Sequence, residues 1–155
     1  MIQRLQSVYL LLTTLCSVLF LSGNMLKFTD DSGDLLNITY NGLKRISEGE
    51  SPEQLARLLP LIILILLTAV TALIAIFLYR NRKLQIKFTI GLLILILILV
   101  MVLAGYSFLV MRNFDAEISW SIKMILPLLM LLFTYLAYRG IRKDEDLVKS
   151  YDRLR

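Results

Sequence analysis

Apolar residues in this chain are collected into four long blocks that are separated by polar segments. The first block covers about residues 5–26, and the others cover about 58–79, 88–111 and 122–141. A helix rises ~1.5 Å per residue, so about 20 apolar residues cross the ~30 Å hydrocarbon core of a bilayer. Because a backbone exposed to lipid must satisfy its own hydrogen bonds, the blocks predict four transmembrane helices.

The pattern therefore predicts an all-α membrane protein, a four-transmembrane-helix bundle in one domain over residues 1–155. A cleaved signal peptide would also begin with an apolar block, but this block is long and has Leu21 where cleavage needs a small residue. We therefore expect a retained helix. The short loop 80–87 holds four basic residues. By the positive-inside rule, both the N and C termini are expected in the cytoplasm.

The outer loop, residues 27–57, contains signals for β structure. Strand-like segments at 26–29 and 35–40 flank a polar stretch that contains Gly33. This pattern predicts a small extracytoplasmic β-hairpin between helices 1 and 2. The triplet Ser51-Pro52-Glu53 is typical of a helix start, so we expect a short helix that leads into the second span.

Composition supports a membrane class and changes little else. The chain is 57% hydrophobic, and its mean hydropathy is +0.72. The net charge of +5 is explained by basic residues in loops, so nucleic acid is not an expected partner. With one cysteine, Cys16, and no histidine, the usual Cys/His metal site is excluded, and no cofactor is expected.

The spans offer little chemistry. Away from their ends they carry no ionisable residue, which argues against proton-coupled or cation-coupled transport. Arg112, Asp115 and Glu117 in the second outer loop could form an enzymatic cluster at the membrane surface, but a solvated loop is the preferred interpretation. We therefore predict that the protein is not an enzyme and has no catalytic residues.

The cytoplasmic tail, residues 142–155, is densely charged and has apolar residues at helical spacing. Two interpretations stay open: a helix lying on the anionic inner leaflet, or a docking helix for a partner. The candidate partner-binding surface consists of Arg4, Arg142, Lys143, Asp144, Leu147, Val148, Tyr151 and Leu154.

The two ends of the chain carry a resemblance. Residues 1–10 (MIQRLQSVYL) and 141–155 (IRKDEDLVKSYDRLR) resemble a family of small bacterial four-span membrane proteins that is described only as a domain of unknown function. The resemblance covers the full chain and implies a bacterial inner-membrane location, but it supplies no activity. It also suggests a hypothesis, that the N-terminal tip with Gln3, Arg4 and Gln6 packs against the tail. Deleting residues 144–155 should then abolish partner capture but not membrane insertion.

The expected function is that of a non-enzymatic accessory or scaffold subunit in a membrane complex, or of a homo-oligomer. Its partners would be the lipid bilayer and either another membrane protein or a second copy. The alternative is a small transporter or channel for an apolar or amphiphilic substrate. A cavity open to lipid between the second and third helices would support that alternative.

Overall fold

The structure, a computed structural model, describes residues 3–30, 34–39, 42–46, 53–56, 58–119 and 121–152. Within them, the helices are α1 (Gln3–Leu21), α2 (Leu59–Phe77), α3 (Arg82–Phe114) and α4 (Leu126–Asp152). The strands are β1 (Asn24–Thr29), β2 (Leu35–Thr39), β3 (Gly42–Ile46), β4 (Glu53–Ala56) and β5 (Glu117–Ser119). Short 3-10 turns at Leu78–Arg80 and Ile122–Ile125 follow α2 and precede α4.

The four helices pack side by side in a ring in which α4 closes against α1. Buried positions on each helix alternate in steps of four and three residues. On α2 they are Leu61, Ile65, Thr68, Ala72 and Ala75. This spacing turns one narrow seam of each helix toward its neighbours, as in left-handed bundles. Only 28% of the most apolar window of α2, α3 or α4 is buried, so most of the apolar surface faces outward.

The prediction of four spans is wrong. Among the described residues, three helices are long and apolar enough to cross a membrane: Leu59–Arg80, Arg82–Phe114 and Ile122–Val148. The apolar part of α1, Leu5–Leu21, is shorter. The orientation of the termini was inferred from four crossings, so it is not retained either.

The first apolar block was overestimated because it continues from a helix into a strand. The α1 helix ends at Leu21, and Gly23 then takes a φ of 69°, a left-handed conformation that a glycine adopts without steric cost. Met25 and Leu26 belong to strand β1 and are buried in the hydrophobic core, so they do not extend the helix. Positions buried in a protein core and positions facing lipid both carry apolar side chains, so the sequence does not tell them apart.

The prediction of a small hairpin is also wrong, because the extramembrane segments build a five-stranded antiparallel sheet. Its strand order is β4-β3-β2-β1-β5. The predicted hairpin corresponds to the β1–β2 pair in the middle of this sheet, in which Phe28 lies opposite Leu36. The fold is therefore a helical bundle with a sheet, and not an all-α protein.

The outer strands explain why the sheet was missed. Residues 53–56, predicted as helical, form β4 on β3, and all four of their side chains are exposed. Ser51 and Pro52 lie outside the described residues. At the other edge, β5 comes from the loop between α3 and α4 and pairs with β1 across a long stretch of chain. The strand β4 lacks the apolar alternation that identifies a half-buried strand, and the three residues of β5 are too few to show it.

The inner face of the sheet joins the core of the bundle. Phe28, Leu36 and Ile38 are fully buried and belong to one hydrophobic cluster with residues of the helices. In β1 the neighbouring side chains Lys27 and Thr29 are exposed, as the two-residue period of a strand requires. The sheet therefore packs on one end of the bundle with one face.

Lys123, just before α4, contacts the C-terminal end of α1 on the side of the bundle where the sheet packs. Its ammonium group donates a hydrogen bond to the backbone carbonyl of Ser22, just past the last residue of α1. A cation at this position also interacts favourably with the negative end of the α1 dipole. The contact fixes α1 against the start of the fourth helix.

Leu36→Ala and Leu35→Ala test the packing of the sheet, since the two residues are adjacent in β2. Leu36 is fully buried and Leu35 is exposed. We expect Leu36→Ala to lower the free energy of unfolding by about 2–5 kcal/mol, because it removes buried methyl groups and leaves a cavity. Leu35→Ala should cost clearly less.

The measurement is thermal unfolding in mild detergent with a thiol-reactive dye. Cys16 is the single cysteine of the chain and is buried, so it reacts only when the bundle opens. Equal shifts of the unfolding midpoint for the two variants would contradict the assignment of the buried face.

Candidate functional site at the charged end of the bundle

A buried hydrogen bond joins the start of the chain to its end. The Nε2 group of Gln6 in α1 donates to Oδ2 of Asp144 in α4 over 2.7 Å, and both side chains are buried. A bond from an amide to a carboxylate is stronger than one between neutral groups, and burial removes the competing water. The contact connects residues 138 positions apart in the sequence.

Two residues near the start of α3 add further bonds at the same end of the bundle. The guanidinium group of Arg82 donates through Nη1 to the backbone carbonyl of Asp144 over 3.0 Å. Gln85, which is buried, donates through Nε2 to the carbonyl of Ala75 in α2, also over 3.0 Å. Gln6, Arg82, Gln85 and Asp144 form what we call the polar end cluster. Its bonds involve all four helices.

Gly140 makes room for this cluster. A Cβ atom at Gly140 would lie 2.9 Å from Cγ of Gln6, which is closer than real Cβ contacts allow. The far end of the Gln6 side chain is held by Asp144, so Gln6 cannot move away without breaking that bond. A glycine at this position therefore permits the close approach of α1 and α4.

Hydroxyl groups continue the contact between α1 and α4 toward the sheet. The Oγ1 atoms of Thr13 and Thr134 lie 3.3 Å apart, and both side chains are fully buried. Each hydroxyl also lies within hydrogen-bond distance of a carbonyl of its own helix, Thr13 of Tyr9 and Thr134 of Met130. Because a hydroxyl has one proton, one threonine donates to the other while the second donates to its own carbonyl. Small hydroxyl residues of this kind let helices approach and bond inside a membrane.

On the outer side of α4 lies a groove of about 580 Å³, which we call the α4 groove. It is lined by three basic residues, two tyrosines, one acid and one leucine: Arg139, Arg142, Lys143, Tyr135, Tyr138, Asp146 and Leu147. Nη1 of Arg142 donates to the hydroxyl of Tyr138 over 3.1 Å. The groove therefore presents donors and positive charge to the outside.

The predicted partner-binding residues are divided by the structure. Arg142 and Lys143 are exposed in the α4 groove, and Leu147 and Val148 are about half exposed, at 45% and 44%. Asp144 differs, since its side chain is buried and points to Gln6; a direct contact with a partner is therefore excluded for it in this conformation.

Other predicted positions lie outside the described part of the chain. Leu154 is among these residues, and Arg4 and Tyr151 belong to helices whose side chains are not described there. The described tail continues α4 through Asp152 in one unbroken helix. Gln6 lies against the tail, as the hypothesis of a packed N-terminal tip requires, while a role of that surface in binding stays a prediction.

Sequence reasoning missed Arg82, Gln85 and Gly140. The signal for Gln85 is its position, since it lies on the same heptad seam of α3 as the buried residues Thr89 and Leu92. A polar residue at a buried seam position indicates an interhelical bond. Nothing local identifies Gly140, because its role depends on a side chain in another helix.

The loop residues Arg112, Asp115 and Glu117, considered as an enzymatic cluster, are all exposed. Asp115 takes a left-handed φ of 45° and ends α3. Within the described residues, no group of three or more His, Cys, Asp or Glu side chains could hold a metal ion.

Gly140→Ala and Gly105→Ala provide a matched test of the close approach between α1 and α4 at Gly140. A Cβ at Gly105 meets nothing within 4 Å, so this change should stabilise the helix by about 0.5–1 kcal/mol. Gly140→Ala gains the same helix propensity but displaces Gln6, and we expect a net loss of about 1–3 kcal/mol. The Cys16 dye assay measures both, and opposite signs are expected. Two shifts of the same sign would refute the account of Gly140.

A double-mutant cycle on Gln6→Ala and Asp144→Ala tests the buried hydrogen bond. Each single change leaves its partner buried without a bond and should cost about 1–3 kcal/mol, and the pair should be less than additive. Asp146→Ala, on the exposed side of the same helix, serves as the control with little expected effect. Full additivity of the two changes would show that the contact does not form.

Comparison with known proteins assigns the chain to a family. No curated protein and no solved structure matches the chain. One family model matches residues 2–154, nearly the whole length. The chain therefore belongs to the family described as Domain of unknown function (DUF4293).

Proposed function

We propose that the protein is a non-enzymatic accessory or scaffold protein of the bacterial inner membrane, which crosses the membrane more than once. It would act as a subunit of a larger membrane complex or as a homo-oligomer, with the bilayer and a membrane protein or second copy as its partners. Nucleic acid is not among these partners.

The observation that supports this function is how the polar groups inside the bundle are used. Within the described residues, eight polar side chains are buried in the helices, and each makes a hydrogen bond either to another helix or to a carbonyl of its own helix: Gln6, Thr13, Ser17, Thr68, Gln85, Thr89, Thr134 and Asp144. In the described residues, the buried side-chain atom without a partner, Oδ1 of Asn37, belongs to the sheet. The bonds of Gln6 with Asp144 and of Gln85 with Ala75, together with the Thr13–Thr134 contact, join different helices, and the other hydroxyls are satisfied by their own helix. A bundle whose buried polar groups are satisfied internally is suited to holding a fixed shape.

The outer part of α4 supplies a surface for a partner. Asp144 and Arg82 hold this part of the helix against the bundle, and Val148 follows one turn later with a side chain that is 44% exposed. An exposed apolar residue on a helix that is held in place loses little conformational entropy on binding. We therefore assign partner binding to the turn that contains Leu147 and Val148, with the end of the tail beyond it.

Two observations support the location. The three long apolar helices fit a membrane protein that crosses the bilayer several times. The resemblance of the chain ends to small bacterial membrane proteins supports a bacterial inner membrane.

Transport of an apolar or amphiphilic substrate is the second candidate, because one cleft opens between α3 and α4. It has a volume of about 240 Å³ and is lined mostly by apolar residues, among them Phe20, Leu103 and Pro127. This cleft does not lie between the second and third helices, where a cavity would have supported transport. Its volume is also below the ~300–1,000 Å³ of typical ligand sites, so the scaffold function is preferred.

Val148→Glu tests the proposed function, with Ile46→Glu as a matched control. Both replaced residues are apolar and partly exposed, and they lie at opposite ends of the molecule. Tagged full-length protein is extracted from native membranes in mild detergent and examined by native mass spectrometry. We expect a stoichiometric protein partner, or a second copy, for the unchanged chain and for Ile46→Glu. A charge buried in the interface should reduce this species about tenfold or more in Val148→Glu.

The structure also shows which deletion of the tail tests this function best. Deleting residues 144–155 would remove the bond between Gln6 and Asp144 together with the tail, so a loss of binding could reflect a damaged bundle. Deletion of residues 147–155 keeps that bond and is the better truncation. A chain that purifies alone, with lipid or a small apolar molecule in the cleft between α3 and α4, would contradict the scaffold function and favour transport.

A further inference from the structure

The α4 groove is positively charged, and Asp144, an acid next to the groove residue Lys143 in the sequence, is turned away from it. Arg139, Arg142 and Lys143 line the groove together with a single acid, Asp146. The carboxylate of Asp144 points to the other side of α4, where it accepts the hydrogen bond from Gln6. The polar end cluster thus separates the charges of the tail, and it leaves an excess of two positive charges in the groove.

The groove also lies at the end of the apolar part of α4. Between Lys123 and Arg139 the chain has no charged residue, and Arg139 is the first cation at the far end of this stretch. Tyr135 and Tyr138 occupy the last apolar turn before it. Tyrosines followed by basic residues are typical of the boundary where a spanning helix leaves the hydrocarbon and enters the headgroup layer.

One donor of the groove, the guanidinium group of Arg142, is held in position. The bond to Tyr138 directs the guanidinium group of Arg142 toward this boundary, and it uses one of the five N–H groups that an arginine carries. The helix itself is fixed by the bonds from Gln6 and Arg82 to Asp144. An anion entering the groove would therefore meet an ordered guanidinium group on a fixed helix, which lowers the cost of binding.

We propose that the α4 groove binds the phosphate of an anionic phospholipid headgroup, such as phosphatidylglycerol. Arg139, Arg142 and Lys143 contact the phosphate oxygens, and the tyrosines pack beside the glycerol and the start of the acyl chains. The position of the groove at the headgroup level favours a lipid over an acidic protein segment, because lipid phosphates already lie at this level of the bilayer. The acyl chains would rest on the apolar surface of α4 below Tyr135, which a free phosphate could not use.

A charge-matched pair of triple variants tests this site. The first variant is Arg139→Gln/Arg142→Gln/Lys143→Gln in the groove. The control is Arg80→Gln/Lys83→Gln/Lys87→Gln, which removes three exposed cations from the same end of the bundle. Full-length protein in detergent is mixed with phosphatidylglycerol and phosphatidylcholine, and retained lipids are counted by native mass spectrometry. The Cys16 dye assay checks that each variant is folded.

We expect the unchanged chain to retain phosphatidylglycerol in preference to phosphatidylcholine. The groove variant should lose affinity for phosphatidylglycerol by about tenfold or more, since each basic residue near an anionic surface contributes to binding. The control should change by about twofold or less. Tyr138→Phe, which keeps all charges but removes the hydroxyl that holds Arg142, should weaken binding by about twofold to fourfold.

Four outcomes would overturn the proposal. Equal losses in the two triple variants would show diffuse attraction to the charged end and no site. Equal retention of the two lipids by the unchanged chain would show that no anion is recognised. Displacement of the lipid by excess inorganic phosphate would identify a site for free phosphate. Retention of a hexaglutamate peptide in preference to the lipid would identify a site for acidic protein segments. Partner capture by the Val148→Glu variant is measured separately, so failure of either proposal leaves the other intact.

Discussion

The hydrogen bond between Gln6 and Asp144 is the contact on which the arrangement of the helices most depends. Apolar side chains give little preference for one helix neighbour over another inside a membrane, because lipid tails are as apolar as leucine. A buried carboxylate, by contrast, is costly unless it is paired, so Asp144 has a strong requirement for a donor at one place. Gln6 supplies that donor, and the ring of helices closes between the first and the last of them.

The contact between α1 and α4 includes polar groups at several levels, and these groups define how the two helices are placed relative to each other. The polar end cluster lies at one end, the Thr13–Thr134 contact lies between, and Lys123 bonds to the carbonyl of Ser22 at the sheet end. Bonds at three separate heights fix the rotation and the vertical position of α1 relative to α4. Gly140 removes the one side chain that would prevent their approach.

The same arrangement divides the surface of α4 into two chemically different sides. One side is held to the bundle, and the other carries the α4 groove and the exposed Val148. Because Asp144 is used internally, its charge does not neutralise the basic residues outside. A structural bond thereby sets the electrostatic character of the proposed lipid site and the position of the proposed partner surface.

Local sequence was sufficient for the long apolar helices and for the strand signals of β1 and β2. The spacing of charged residues marks α2, α3 and α4, because a spanning helix needs a length that few other elements need. The end of α1 was misjudged since Met25 and Leu26 are strand residues buried in the protein core, and hydropathy alone does not distinguish that burial from burial in lipid. The strand β4, with four exposed side chains, carries no periodic signal at all.

The sequence by itself predicted a helical tail with Arg142, Lys143, Leu147 and Val148 on its outside, and the structure has these side chains exposed, because charge and helical spacing in a tail are local properties. Only the tertiary structure decided that Asp144 faces inward, that Gly140 must lack a side chain, and that β5 completes the sheet beside β1. Each of these depends on a contact between residues far apart in the chain, and the energy of such a contact has no counterpart in the local pattern of the sequence.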